Sequence, residues 1–332
     1  MICFFRKSAK FLALFLVISF VLTGCGSGIP APYSSSVIST ELAGRGFLAE
    51  LKAEPFASDL CIVTEDVPVP GLDLSTSIES VLLVDVNNAS VLASIDATRQ
   101  IKPASTTKLM TALLAIENCS MDEKVVLGEE INGLPYDAQV LPAKVGDVMT
   151  MDQALHFMLM FSANDIANAI AAHVGGSVAA FCDMMNERAR ELGATNTHFS
   201  NPHGLDADDH YTTSYDLYLI LSECVKYEKF IEIVSTPEYS TVYYNSSGQE
   251  VNKTVRSTDL FIRTDKDQSP PAGITVIGGK TGTTGGAGHC LIILCKDSYG
   301  RPYISCVMGT LDSDTLYSHQ KILMNQILNG GS

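Results

Sequence analysis

KPASTTKLMTALLAIEN, residues 102–118, combines a helix entry with a buried-looking apolar face and two reactive side chains. Pro103 presets the backbone for a first helical turn, and Leu109, Ala112, Leu113 and Ile116 follow at three- and four-residue spacing. This predicts a helix running from Pro103. Ser105 and Lys108 stand three residues apart on it, a spacing that puts side chains on one face with Cβ atoms about 5–6 Å apart. By itself Ser-x-x-Lys is also the pattern of a capping serine and a solvated lysine, so the surrounding chain has to decide between the two.

Upstream, Glu79–Val86 reads as a strand, Asn87-Asn88 as a turn and Ser90–Ile95 as its hairpin partner. Downstream comes a helical block. Thr150-x-x-Gln153 forms a capping box before Ala154–Met160, Asp165–His173 is stopped by Gly175-Gly176, and Val178–Leu192 ends at Gly193. A further helix opens at Thr213-x-x-Asp216 and runs to about Tyr227. Strands return at Ser240–Tyr244, Thr275–Lys280, His289–Cys295 and Tyr303–Met308, and a helix, Ser318–Ile327, follows them. The order predicts an α+β (mixed α/β) fold: an antiparallel sheet flanked by helices, with a mostly helical insert between its early and late strands.

The 332 residues, 46% hydrophobic and 18% charged, exclude a disordered chain and allow a sizeable core. Residues 1–24 read as an export signal, with Arg6, Lys7 and Lys10 ahead of the apolar run Phe11–Leu22. That run is too short for a comfortable membrane span. It ends in Leu22-Thr23-Gly24-Cys25, which resembles the lipobox of bacterial lipoproteins, so Cys25 is the expected lipidation site. The expected location is the outer face of a bacterial cytoplasmic membrane, held by that lipid. Removal of residues 1–24 takes the net charge from −15 to −18, an acidic surface that excludes nucleic acid as a partner. Residues 25–72, rich in Gly, Ser and Pro with a short helical stretch near Thr40–Lys52, read as a tether, and 73–330 as the folded domain. Seven cysteines remain, mostly in apolar segments and without metal spacing, and read as buried thiols. His156, His173 and His319 read as helix-surface or core residues; His198, His203 and His210 sit in one loop and shape it.

Two more elements join Ser105 and Lys108. In Phe161-Ser162-Ala163-Asn164-Asp165, two polar side chains are stranded among apolar ones and need partners or a purpose. Gly278-Gly279-Lys280-Thr281-Gly282-Thr283 ends a β-branched run, and its glycines let a ligand backbone lie against a strand edge. It lacks the phosphate-loop spacing. Ser-x-x-Lys, Ser-x-Asn and Lys-Thr-Gly in that order resemble the signature of penicillin-binding proteins and serine β-lactamases. Pro103–Ala112, Met185-Asn186-Glu187, Leu192-Gly193, Thr197–Asp206 and His210–Thr213 extend the likeness. Over roughly residues 75–328 the chain resembles the D-alanyl-D-alanine carboxypeptidases, peptidase family S11.

The resemblance implies a β-lactamase/transpeptidase-like fold and a defined division of labour. Ser105 would be the nucleophile, Lys108 its general base, and Ser162 a proton relay to the leaving amine. Asn164 would hold substrate and Lys108, and Lys280 and Thr281 would bind the substrate carboxylate. Gly282 would leave room for the substrate, and the backbone N–H groups of Ser105 and Thr283 would form the oxyanion hole. The implied substrate is a peptidoglycan stem peptide ending in D-Ala-D-Ala, with β-lactams as covalent inhibitors and neither metal nor organic cofactor.

The chain also departs from the family pattern. Thr283 stands where relatives commonly carry His or Tyr, the Asn-rich segment appears as Arg256-Ser-Thr-Asp-Leu260, and Met308–Asp314 has no arginine. The alternatives within the fold are a D,D-endopeptidase and a β-lactamase, though no Glu-x-x-x-Asn deacylation loop appears between the second and third motifs. Outside enzymes, the alternative is a non-catalytic lipoprotein that captures β-lactam or wall peptide.

Overall fold

The structure, a computed structural model, describes residues 60–72, 78–266 and 268–329. The predicted signal, Cys25 and the Thr40–Lys52 helix lie outside the described residues. β1 (Ser80–Asp85) is buried along its whole length. Its side chains alternate with the two-residue period of a strand. Leu82 and Val84 enter the larger apolar core, while Val81 and Leu83 enter a second core on the opposite face. The sheet is therefore covered on both sides.

Its order is β2-β1-β9-β8-β7, antiparallel throughout, from β2 (Ser90–Ile95), β7 (Ile274–Thr284), β8 (Gly288–Asp297) and β9 (Pro302–Thr310). Residues from opposite ends of the chain pair directly, Ser80 with Met308 and Asp85 with Tyr303. The C-terminal helix α7 (Ser313–Asn329) closes one face through Leu316, Leu323, Met324 and Ile327. It starts earlier than its apolar spacing suggested, because Asp312 Oδ1 accepts the Thr315 N–H (2.7 Å) at its head.

The other face carries the inserted helices: α1 (Lys108–Asn118), α2 (Met151–Met160), α3 (Asn164–Gly175), α4 (Val178–Glu191), α5 (Ser214–Cys224) and α6 (Glu228–Val234). The Thr150 capping box forms, with the Gln153 N–H donated to Thr150 Oγ1 and the Thr150 N–H to Gln153 Oε1. The Gln153 amide also donates to Thr241 Oγ1 and to the Val242 carbonyl, which ties α2 to a second sheet. That antiparallel sheet, ordered β3-β4-β5-β6, comprises β3 (Lys124–Val126), β4 (Val148–Thr150), β5 (Glu238–Tyr244) and β6 (Glu250–Arg256). Of these four strands the sequence pattern indicated only β5. The rest are three residues long or, in β6, mostly exposed.

The predicted tether is described only from Leu60, and from there it belongs to the domain. Cys61 donates its N–H to Tyr218 Oη and accepts from Tyr215 Oη, and Val67 bridges Ser94 beside β2. These contacts lie ahead of the expected boundary at residue 73. Two tyrosine hydroxyls of α5, one on a buried and one on a half-buried side chain, thus tie this segment to the helix. No single helix among the described residues is long and apolar enough to cross a membrane.

Candidate active site

The helix expected from Pro103 begins as a 3-10 turn, Ala104–Thr107, and becomes α-helical at Lys108. Ala104 holds φ at +47°, a strained value for a residue with a Cβ. Hydroxyls around the turn hold it there: Thr106 donates to the Pro103 carbonyl (2.6 Å) and Thr107 to the Ala104 carbonyl (2.9 Å). Buried His210 completes the brace. Its Nδ1 accepts the Ser200 N–H (3.0 Å), so the proton is on Nε2, which points at Thr107 Oγ1 (2.8 Å). Burial lowers the His210 pKa to about 4, keeping the ring neutral across the ordinary range. His210→Leu strands the Ser200 N–H and should cost about 1–3 kcal/mol, read as a lower unfolding midpoint in urea. An unchanged midpoint would show that the brace carries no weight.

Lys108 is fully buried, and its Nζ has three neighbours: Ser105 Oγ at 3.0 Å, Asn164 Oδ1 at 2.6 Å and the His203 carbonyl at 2.6 Å. Asn164 Oδ1 and a backbone carbonyl only accept hydrogen bonds. A neutral amine has two N–H bonds and one lone pair. With both N–H bonds committed to those acceptors, the lone pair faces the Ser105 hydroxyl. The charge state fits this, because burial first and the Lys280 cation second push the Lys108 pKa well below 10.5, against a smaller upward pull from Asp165.

Lys280 comes from β7, the edge strand of the main sheet, whose free backbone groups face the cleft. Its ammonium is 1% exposed, donates to the Thr281 carbonyl (2.9 Å) and has its pKa pushed down to about 7 by burial, opposed by Asp259. The cleft wall beside it is formed by Thr281, Gly282 and Thr283. Thr281 Oγ1 is 2.6 Å from Thr258 Oγ1. Gly282 is required by proximity: a Cβ would lie 2.9 Å from Ala104 Cβ and 3.0 Å from the Ser105 nitrogen. β7 and the nucleophile turn therefore pack backbone to backbone.

Ser162 and Asn164 enter from the α2–α3 connection, where Ser162 holds φ at +64°. Asn164 opens α3, with its N–H donated to the Gln139 carbonyl (2.8 Å). The cleft, about 830 Å³, is lined by Ser105, Ser162, Asn164 and the Thr281–Thr283 edge among others. Arg256 and Arg263 border it too, paired with Glu238 (2.6 Å) and Asp265 (2.6 Å).

Sequence reasoning missed four contributors. The His203 carbonyl and Gly204, which packs against Ala104, act through backbone and leave no side-chain signature. Thr258 sits in the segment read only as a departure. His289, unremarked in the sequence, lines the cleft opposite Thr283 in the β7–β8 register, its Nδ1 3.2 Å from Thr283 Oγ1. An imidazole thus borders the cleft although none follows Lys-Thr-Gly in the chain.

The sequence profile of the D-alanyl-D-alanine carboxypeptidases, peptidase family S11, matches residues 67–312. The chain belongs to this family. Among relatives of the S11 carboxypeptidases, it is 29% identical over 242 residues to the carboxypeptidase DacF of Bacillus subtilis, covering 71% of this chain and 58% of DacF. It is 31% identical over 223 residues to DacB2 of Mycobacterium tuberculosis, covering 67% of this chain and 70% of DacB2. The crystal structure of the Streptomyces K15 DD-transpeptidase superposes with a TM-score of 0.71 at 25% identity, covering 79% of this chain and all of that one. The chain thus spans about three fifths of DacF but the full length of the Streptomyces fold. The mixed fold expected from the order of elements is the fold of the Streptomyces enzyme.

Proposed function

We propose that this protein is a serine-type D-Ala-D-Ala carboxypeptidase that removes the terminal D-alanine from peptidoglycan stem pentapeptides through an acyl-enzyme on Ser105. The observation that carries this reading is the buried Lys108 amine, its two donors spent on Asn164 and His203, 3.0 Å from the Ser105 hydroxyl. Ser105 Oγ attacks the carbonyl of the penultimate D-alanine while its proton passes to Lys108. The N–H groups of Ser105 and Thr283 hold the oxyanion. The peptide C–N bond breaks as a proton, relayed by Ser162, reaches the leaving amine. Water, deprotonated by Lys108, then hydrolyses the ester and restores Ser105. Lys280 and Thr281 would bind the terminal carboxylate, with the Thr258 hydroxyl 2.6 Å from that of Thr281 as a further donor. β-Lactams would acylate the same serine. The export signal and the Cys25 lipobox support a lipid-anchored enzyme at the outer face of the cytoplasmic membrane, next to its substrate.

The test is incubation with a diacetyl-Lys-D-Ala-D-Ala tripeptide, scoring free D-alanine for wild type and Ser105→Ala. Release by wild type alone supports the reading, and no release from a folded, β-lactam-reactive wild type refutes it.

The pH dependence follows from the lysine pair. Lys108 works as the neutral base, so acylation rises with pH as it deprotonates, and the Lys280 cation shifts that rise to lower pH. In Lys280→Gln the acid limb of kcat/KM should move to higher pH as well as fall in amplitude. An acid limb at the wild-type position would mean that the Lys280 charge does not act on Lys108.

A further inference from the structure

At the ends of α1 and α3 remote from the cleft, three metal-ligating side chains of different chemistry converge. Cys119 is the C-cap of α1, Glu123 ends the turn that follows, and His173 lies in the last turn of α3. The thiol sulfur, a Glu123 oxygen and a His173 ring nitrogen all lie within 4.8 Å of one another, with His173 Nε2 2.8 Å from Glu123 Oε1. We propose that Cys119, Glu123 and His173 form a zinc site with three protein ligands and a solvent-facing fourth position.

Four observations converge on that assignment. Ligand atoms around a tetrahedral ion stand roughly 3.3–3.6 Å apart, with zinc–sulfur near 2.3 Å and zinc–nitrogen or zinc–oxygen near 2.0 Å, and atoms already within 4.8 Å of one another reach that spacing by side-chain rotation. The mixed sulfur, nitrogen and oxygen set suits zinc, whereas calcium and magnesium take oxygen alone. The backbone is already fixed: the Ser120 carbonyl accepts the Glu123 N–H, and the Met121 and Glu123 carbonyls accept the Asp152 and Met151 N–H groups. Both α1 and α3 also point their C-termini, the negative ends of their dipoles, at the cluster.

A second group of candidate ligands, Asp152, His156 and Glu232, makes an instructive contrast. There the Lys229 ammonium already neutralises both carboxylates, at 3.0 Å from Asp152 and 2.7 Å from Glu232. At the Cys119 cluster, among the described residues, the ion-pair partner of Glu123 is the His173 ring, with no lysine or arginine paired to it. Binding is balanced as follows: the thiol loses its proton to solvent as sulfur bonds the ion, and the His173 ring keeps one proton, on Nδ1, while Nε2 bonds the ion. Burial and the neighbouring Glu123 raise the Cys119 pKa, which favours the thiol until sulfur bonds the ion. The sequence concealed the cluster because His173 stands fifty residues from Glu123.

The test uses the full chain, stripped with chelator and titrated with zinc and, separately, with cobalt. The expected results are one zinc per chain by calorimetry and a thiolate-to-cobalt charge-transfer band. Free zinc at a hundredfold excess over Kd should raise Tm by about 5 °C or more. Cys119→Ser should lose the band, and both it and His173→Gln should bind zinc at least tenfold more weakly. Both changes are close in size to the native side chains and lie away from the cleft, so the variants remain folded. Absence of the band in wild type, its persistence in Cys119→Ser, or equal zinc affinity in all three proteins overturns the assignment and leaves the cluster as a histidine–glutamate pair beside a thiol.

Discussion

Lys108→Arg should acylate with a β-lactam about 10²–10⁴-fold more slowly than wild type at pH 7, although helix propensity and the supply of N–H donors change little. A guanidinium does not deprotonate in a protein, so the variant has no lone pair to offer the Ser105 hydroxyl. The loss would separate the base from mere positioning. An arginine still donates to the Asn164 oxygen and the His203 carbonyl, so a scaffold role would survive the exchange and a proton-accepting role would not. The measurement is the second-order acylation rate of a fluorescent penicillin, with circular dichroism as the check on folding. A rate within threefold of wild type would remove Lys108 from the mechanism.

Gly204→Ala should be the most damaging of the conservative substitutions. A Cβ at Gly204 would lie 1.8 Å from the Ala104 carbonyl oxygen and 2.4 Å from its carbon, with φ at +93°. Neither neighbour is the flexible end of a side chain, so the clash falls on the backbone that holds the nucleophile. Positive φ costs about 1–2 kcal/mol for a residue with a side chain, and overpacking typically a further 1–3 kcal/mol. The expected result is a loss of roughly 3 kcal/mol or more, a Tm lower by about 6–12 °C, and slower acylation even in the fraction that remains folded. Gly248→Ala is the control, because its φ is +75° and nothing lies within 4 Å of the added carbon. It carries the backbone strain alone. Equal Tm values for the two variants would mean that the Gly204 contact is relieved by movement elsewhere.

The two glycine variants also show why parts of this molecule were legible in its sequence and others were not. Apolar spacing and β-branched runs bounded by turn residues reported the β1–β2 hairpin, helices α1 to α5 and the three late strands of the main sheet, β1 and β9 as continuous apolar runs because both of their faces are covered. The spacing of Ser105 and Lys108 implied their adjacency, and the polar pair in an apolar segment drew attention to Ser162 and Asn164. Backbone contributions have no such signature. The His203 carbonyl that fixes the lysine and the peptide that Gly204 packs against could belong to any residue. The short strands β3 and β4 offer three residues each, too few for a period. β6 alternates exposed polar residues with Val251 and Val255 and reads as a loop. Lys280 was legible as a cation at a strand end, but its burial depended on β8 and α6, which come from distant parts of the chain.

The pairing of β1 with β9 has a kinetic consequence. More than two hundred residues separate Asp85 from Tyr303, so the central ladder has a very high sequence separation and cannot zip before β9 is present. The hairpin made early must wait with one unsatisfied margin while the helices collapse beside it. Because β7 also follows the whole helical insert in the chain, the wall that packs against the Ser105 turn is in place only once the late strands have docked.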